Sequence, residues 1–308
     1  MKESAKFIIS FDVELGWGAV ENRTWSQKEA RGVYEGVRPA LSSLLAVLGN
    51  AEAPATWAFV GKLLDRDGLE DRDLPPEILR TCRMKGEEKT WRGEDLLDMI
   101  QESPVGHEIA CHSFYHRRCG ERSMNAALFA SDLSLCRKIF SGHGLSPVSF
   151  VYPSNEERWV EILREQGFSA FRGENQLGLI RTKNPVARKI ISFCQLCGMR
   201  RIRTEEPSLN SAGLWRIPGT IQFNVREKRR NFLPALVRRV NCGLKRTVKS
   251  NGYMHLWSHP YNFSINPRLI VALEEVLALA TKLRDAGKLE IMTMQEFVNS
   301  RDNSGRHD

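Results

Sequence analysis

The sequence predicts a parallel α/β barrel that occupies almost the whole chain of 308 residues. Short apolar runs alternate with stretches of helical periodicity, which is typical of parallel sheets covered by helices. Seven or eight such units in one chain of this length favour a single barrel over two doubly wound halves. Hydrophobic residues make up 42% and charged residues 27% of the chain, which is typical of a soluble globular protein.

The order of the elements follows from this alternation. Eight runs rich in β-branched and aromatic residues are predicted as strands, at 7–11, 55–60, 107–111, 148–152, 169–172, 214–217, 253–257 and 289–293. Five stretches with apolar residues on one helical face are predicted as helices, at about 27–48, 125–141, 156–166, 226–249 and 267–286. Residues 65–102 and 174–213 are polar and are predicted as loop insertions. The barrel is expected over 1–300, with a flexible tail at 301–308.

The net charge of +8 is concentrated between Arg226 and Lys249. Apolar residues alternate with these cations at helical spacing, and Pro234 falls in the first turn, where proline is tolerated. We expect the apolar stripe to pack on the protein's own core. Contact with an anionic surface is the alternative. No nucleic-acid motif accompanies the charge, so no nucleic-acid partner is expected.

Other features of the sequence predict a cytoplasmic protein. No stretch approaches the roughly 18 to 20 apolar residues of a membrane span, and no secretory leader is apparent. The chain has seven cysteines, an odd number scattered along its length, which favours free thiols in a reducing compartment.

Polar residues at the ends of the predicted strands are candidates for chemistry. Asp12 and Glu14 follow the first strand and, two residues apart, face the same side of an extended chain. An acidic pair at this position also occurs as a helix cap or a loop ion pair. The strand predicted at 253–257 leads into His259, and His255 and Trp257 lie on the same strand face as His259. The structural alternative for His259 is a histidine bonded within its own loop.

A histidine pair follows the third strand, at His112 and His116. On a continuing strand these residues would stand about 13 Å apart, too far to share a metal ion. On one helical turn they would lie about 6 Å apart on the same face. We therefore expect the strand to break into a helical turn at His112, and a carboxylate from another strand to complete a metal site with open positions. The alternative is two surface histidines.

Together, the segments Ser10–Glu14, His112–His116 and the strand ending in His259 resemble the motifs of the polysaccharide deacetylase family, the NodB-homology carbohydrate esterases, over residues 6–297. The resemblance implies a distorted (β/α) barrel. By position, it makes Asp12 the general base, His112 and His116 metal ligands, and His259 the acid that protonates the leaving amine. Val13 replaces the usual second aspartate, so Glu14 is the expected third ligand, as in an Asp-Val-Glu branch; Asp12 is the alternative.

Two other family motifs are matched less closely. The third usually reads Arg-x-Pro-Tyr, whereas this chain has Tyr152-Pro153 without the arginine. Arg172, at the end of the next strand, is expected to supply a guanidinium from a neighbouring position. Trp215 resembles the tryptophan that walls the acetyl pocket, and Tyr152 is expected to orient substrate. Structural roles for Arg172 and Trp215 remain the alternative.

These motifs imply a hydrolase that removes an N-acetyl, or a similar acyl or formyl, group from an amino sugar of a glycan, glycolipid or sugar intermediate. A zinc-like ion would lower the pKa of water and polarise the carbonyl. Zinc is the first expectation for a ligand set of two histidines and a carboxylate, with nickel, cobalt, manganese or iron as alternatives. An inactive barrel that binds a partner, or a basic binder of anionic surfaces, are the competing functions.

Overall fold

The computed structural model describes residues 4–20, 24–65, 87–176, 201–225 and 227–304, together with 184, 186, 187, 191 and 194. Its strands are β1 (Ala5–Val13), β2 (Thr56–Phe59), β3 (Glu108–Cys111), β4 (Ser149–Val151), β5 (Ala170–Glu174), β6 (Ser208–Leu209), β7 (Trp215–Gly219), β8 (Ile221–Gln222), β9 (Tyr253–Ser258) and β10 (Leu289–Met292). Its helices are α1 (Trp25–Glu29), α2 (Val37–Asn50), α3 (Glu88–Trp91), α4 (Glu94–Gln101), α5 (Ala126–Gly142), α6 (Val160–Glu165), α7 (Leu233–Ser250), α8 (Pro260–Ile265), α9 (Arg268–Asp285) and α10 (Met294–Ser304).

The strands form one curled sheet in the order β6-β7-β5-β4-β3-β2-β1-β9-β8, and all pairs except β6–β7 are parallel. After Thr220, β8 continues the path of β7 and pairs with β9, which lies beside β1. The pairings therefore return to their start and close a distorted barrel, as predicted. Strand β10 pairs with the first half of β1, whereas β2 pairs with its second half.

Two layers of apolar packing hold the barrel. The larger core lies between the strands and the surrounding helices and includes Phe7, Phe11, Trp57 and Leu273. A smaller core fills the barrel near the amino-terminal ends of the strands, where α10 also packs. Its members are Ile8, Ala58, Ala110, Val151, Ala170, Ile217, Tyr253, Met292, Met294, Phe297 and Val298. This apolar base closes one end, so the interior positions further along the strands are left for polar side chains.

Several predicted elements required correction. The loop insertion predicted at 65–102 contains α4, whose Leu96, Leu97 and Ile100 are buried in the main core, so this part is a covering helix of the barrel. The helix predicted at 27–48 is split into α1 and α2. The start of the predicted tail, 301–304, belongs to α10, and 305–308 lie outside the described residues. Most of the insertion predicted at 174–213 also lies outside them.

The basic helix forms as predicted, with α7 preceded by a 3₁₀ segment over Glu227–Phe232. Pro234 stands in its first turn, and Leu236, Val240 and Leu244 are buried against the protein's own core. Its apolar stripe is therefore already covered by the barrel. Within the residues that the structure describes, no helix combines the length and apolar character that a membrane span requires.

Candidate metal centre and active site

The site begins at the carboxyl end of β1. Alternate residues of a strand face the same side, so Ile8, Ser10 and Asp12 point into the barrel above its apolar base. Glu14 follows immediately, and its carboxylate is 4% exposed. Gly18 packs so closely on this carboxylate that any side chain there would collide with it. The close approach of Gly18 therefore helps to fix the position of Glu14.

A tight loop after β3 carries the histidine pair. Ser113 and His116 have positive φ values of 59° and 58°, so the predicted helical turn at His112 is wrong. The loop is stabilised by Asp132 of α5, whose carboxylate accepts hydrogen bonds from the backbone N–H groups of Phe114 (2.8 Å) and Tyr115 (3.3 Å). The two imidazole rings nevertheless come together, with centroids 4.8 Å apart. Left-handed residues, rather than a helical turn, produce this proximity.

Glu14 lies between the two histidines. Its Oε2 is 2.8 Å from His116 Nε2 and 3.6 Å from His112 Nε2. One ligand atom from each of the three buried residues lies within 4.8 Å of the other two. His112 Nδ1 donates a hydrogen bond to the carbonyl of Val151 at 2.8 Å, which leaves the Nε2 lone pair facing Glu14. This second hydrogen bond is typical of metal-binding histidines. The donor set therefore fits a divalent ion.

Arg172 of β5 approaches the other carboxylate. Its Nη1 and Nη2 donate hydrogen bonds of 2.6 Å to the two oxygens of Asp12. Nη1 also donates to Ser10 Oγ at 3.1 Å, and Asn155 Oδ1 accepts from Nη2 at 3.3 Å. The guanidinium stacks over the Trp257 ring, 4.5 Å from its centroid. The charge of Arg172 is thus matched by that of Asp12.

His259 follows β9 and completes the cluster. Its Nε2 is 3.5 Å from Glu14 Oε1 and 3.7 Å from Asp12 Oδ2. Asn262 donates to its Nδ1 at 3.4 Å. His255, on the same strand face, lies deeper and contacts Ser10 Oγ through Nε2 at 2.7 Å. His259 is therefore placed beside both acids, whereas His255 supports the Ser10–Arg172 contact behind them.

Burial and charge act in opposite directions on these groups. Burial raises the pKa of Asp12, but the charges of Arg172 and His112 outweigh it and hold that pKa below its usual value. Burial also raises the pKa of Glu14, but the nearby His259 and His116 outweigh this effect and hold that pKa well below its usual range. Burial lowers the pKa of His259, and the two acids only partly offset this. Both carboxylates are therefore ionised at neutral pH.

Two residues expected at the site lie elsewhere. Tyr152 follows Val151 and so faces away from the barrel interior, where its ring packs on Phe129 and its hydroxyl donates to the carbonyl of Arg158 at 2.7 Å. Trp215 is the first residue of β7, and its ring contacts Phe297 at the apolar base. The expectation that they orient substrate or wall its pocket is wrong, because strand parity excludes Tyr152 and position along the strand excludes Trp215.

Other side chains at the site had no role predicted from the sequence. Ser10 lies two positions before Asp12 and Trp257 two positions before His259, so strand periodicity places each on the same face as its predicted neighbour. The ring centroid of Tyr261 is 4.9 Å from that of His259, and burial and the nearby charge of Glu14 raise the pKa of its hydroxyl. Asn155 has φ of 54° in the segment that replaces the third motif. No sequence signal indicated the contact of Asn155 with Arg172.

Comparisons with known proteins bear on the fold. No protein-family model and no curated protein matches the sequence. Among solved structures, one described as a polysaccharide deacetylase from Mycobacterium smegmatis is 14% identical, with a TM-score of 0.68 over 99% of this chain and 92% of the other. A second, from Pseudomonas aeruginosa PAO1, is 14% identical, with a TM-score of 0.60 over 96% and 89%. An allantoinase is 11% identical, with a TM-score of 0.60 over 96% and 89%.

These identities are too low to transfer an activity, since one fold can support several functions. The coverage nevertheless extends over nearly all of each chain, so the likeness concerns the whole barrel. The resemblance noted in the strand-end motifs is confirmed at this level: the chain has the fold of the polysaccharide deacetylases.

Proposed function

We propose that this protein is a metal-dependent hydrolase that removes an N-acetyl, or a similar acyl or formyl, group from an amino sugar. The observation that carries the proposal is the cluster of Glu14, His112 and His116 beside Asp12 and His259. These five side chains come from three separate segments and meet at the carboxyl ends of the strands, where barrel enzymes place their catalytic groups.

Glu14, His112 and His116 would hold one divalent ion, with zinc as the first candidate. A bound ion of this kind supplies a Lewis acid that lowers the pKa of water and polarises an amide carbonyl. The buried carboxylate of Glu14 is then matched by positive charge. His112 keeps its orientation through its hydrogen bond to Val151.

The protein's own acid and base carry the proton transfers. As the oxygen of the attacking water bonds to the acyl carbon, Asp12 accepts the proton of that water. The amide C–N bond then breaks, and His259 in its imidazolium form donates a proton to the departing nitrogen, so that a carboxylic acid and a free amine are formed. Asp12 then releases its proton and His259 takes one up, which returns both groups to their starting states. Arg172 holds Asp12 ionised and fixed in position through two hydrogen bonds of 2.6 Å.

Carbohydrate is the favoured substrate class because two of the most similar structures are described as polysaccharide deacetylases. The allantoinase of the same fold supports a competing amide hydrolase, whose substrate would be a small ureide. An inactive binding barrel is a weaker alternative, since the structure retains a complete set of acid, base and metal-ligand candidates.

The test is a screen of the zinc-loaded protein for acid release. Substrates are N-acetyl and N-formyl amino sugars, N-acetylated oligosaccharides and allantoin, with His112→Ala and Asp12→Asn as matched controls. The proposal expects acetate or formate from at least one sugar, and none from either variant. Turnover of allantoin alone would assign the site to the ureide reaction. Metal binding without any turnover would support the binding barrel.

A further inference from the structure

Lys28 of α1 lies beside the proposed active site. Its Nζ is 4.2 Å from the centroid of the Tyr261 ring, which in turn lies 4.9 Å from the His259 ring. Burial and the nearby charge of Glu14 raise the pKa of the Tyr261 hydroxyl. The ammonium group therefore lies next to Tyr261, close enough to the acid and metal-ligand candidates to be affected by the charge of Glu14.

No acidic side chain within the described part of the chain forms an ion pair with Lys28, and its ammonium group lies over the Tyr261 ring. The side chain is half-buried. Burial lowers the pKa of Lys28, and the nearby Glu14 charge only partly offsets this. A half-desolvated ammonium without an acidic partner is costly, and a bound anion would remove that cost.

The other charges at the site are already matched. Both terminal nitrogens of Arg172 donate to Asp12, and Glu14 would be neutralised by the proposed ion. Lys28 is thus left to act on a charge brought by the substrate. An ammonium group binds phosphate or carboxylate as a point charge. It therefore selects a negatively charged group on the ligand without selecting that group's geometry.

Further aromatic side chains lie close to Lys28 along the sequence and in space. Trp25 precedes Lys28 by three residues on α1, so the two share a helix face. Trp25 packs on Trp91 with centroids 5.2 Å apart, and Trp91 packs on Trp17 at 5.1 Å. Trp25 and Trp91 are only half-buried. Exposed aromatic faces supply a large rigid contact surface for a ring such as that of a sugar.

We propose that Lys28 and Trp25 form a subsite for an anionic sugar, with Lys28 binding its phosphate or carboxylate group. This inference rests on the proposed function, because it assigns the substrate class of the same site. The chain would then prefer a charged acyl-amino sugar to its neutral counterpart.

The test compares neutral and anionic probes on the zinc-loaded chain. Turnover is measured with methyl N-acetylglucosaminide, N-acetylglucosamine 1-phosphate and N-acetylmuramic acid, the last two separating phosphate from carboxylate. Binding of methyl glucosaminide and glucosamine 1-phosphate is measured by calorimetry. The variants are Lys28→Gln and, as a matched control, Lys138→Gln on the exposed face of α5.

We expect the wild type to favour an anionic probe by roughly tenfold in kcat/KM and in affinity, the scale of a charge-assisted contact. Lys28→Gln should bring that ratio close to unity, and Lys138→Gln should leave it unchanged. High salt should reduce the preference in the wild type. A ratio that is unity in the wild type, or that Lys28→Gln leaves unaltered, would overturn the subsite.

The two proposals fail differently. Absence of turnover on every sugar refutes the proposed function, whereas the calorimetric preference and its loss in Lys28→Gln still decide the subsite. Turnover on the neutral glycoside without any anionic preference refutes the subsite and leaves the deacylase in place.

Discussion

Arg172 pairs with Asp12 through two hydrogen bonds of 2.6 Å across 160 positions of sequence. Both side chains are at most 3% exposed, so this is a buried ion pair at the centre of the candidate site. Such a pair is costly to break from one side, because the remaining charge is left buried without its partner. Its geometry therefore has consequences for stability as well as for catalysis.

Breaking the pair should destabilise the fold in a non-additive way. We expect Arg172→Met and Asp12→Asn each to lower the free energy of unfolding by about 3 to 5 kcal/mol. The double variant should lose clearly less than the sum, because neither charge remains unpaired. Urea unfolding of the four proteins measures this. Additive losses would show that the two side chains do not interact energetically.

The two acids of the first strand should differ in what their loss removes. Asp12→Asn is expected to abolish nearly all turnover while leaving metal content largely intact, since a base acts in the transition state. Glu14→Ala should lose the metal. Metal analysis and kinetics are made on protein shown by circular dichroism to be folded. The opposite pattern would exchange the two roles, and metal loss in both variants would make both acids ligands.

His259→Ala should reduce turnover by roughly 10² to 10⁴-fold with little change in metal content, the usual scale for one acid–base group. An N-acyl substrate should suffer more than an activated O-acyl ester, because the ester's leaving group needs no proton. Parallel kinetics on the two substrates test this. Equal loss on both, or release of the metal, would assign His259 a structural or ligand role.

Asp132 should affect the metal site without touching it. Its two oxygens accept from consecutive backbone N–H groups of the histidine loop, and asparagine has only one acceptor oxygen. We expect Asp132→Asn to weaken zinc affinity by about 10- to 100-fold, as for other groups that orient metal ligands. The control is Asp98→Asn, on the exposed face of α4. Unchanged affinity in a competition titration would contradict this role.

His107 should make stability depend on pH. Burial lowers its pKa from 6.5 to about 4 in the folded protein. Between these pH values the unfolded chain therefore protonates His107 while the folded protein does not. The contribution of His107 to the free energy of unfolding consequently falls as the pH drops from about 6.5 to 4. The loss is on the order of 2 kcal/mol after allowance for the part of the ring that stays hydrated. Urea unfolding of wild type and His107→Gln across this range measures it, and parallel pH profiles would contradict it.

Much of the barrel could be predicted because its strands are buried on both faces. β1, for example, is apolar at six of its nine positions, is buried at all nine, and has no competing helical pattern. The helix α4 was missed for the opposite reason, since Leu96, Leu97 and Ile100 are few and lie among acidic residues. The sequence spacing of His112 and His116 indicated their proximity. It could not reveal the left-handed loop, which depends on Asp132 from another helix.

The site could be predicted where a residue's strand position settles its direction. Asp12 and His259 follow apolar runs and meet at one end of the barrel. Arg172 was expected from the chemistry that the third motif lacks. Tyr152 and Trp215 were wrongly predicted at the site because similarity to a motif does not specify which face of a strand a residue occupies or how far along the barrel axis it lies. The contacts of Tyr261 and Lys28 depend on how α1 folds over the barrel, which local sequence patterns do not specify.

The central claim is that one ion held by Glu14, His112 and His116 is required for acyl release. The most direct measurement is a zinc titration of the metal-free protein, with bound metal and acetate release from an N-acetyl amino sugar followed in the same samples. We predict that both rise together and level off at one ion per chain, and that His112→Ala shows neither. Acetate release by the metal-free protein, or saturation with zinc without any release from every sugar tested, would contradict the account.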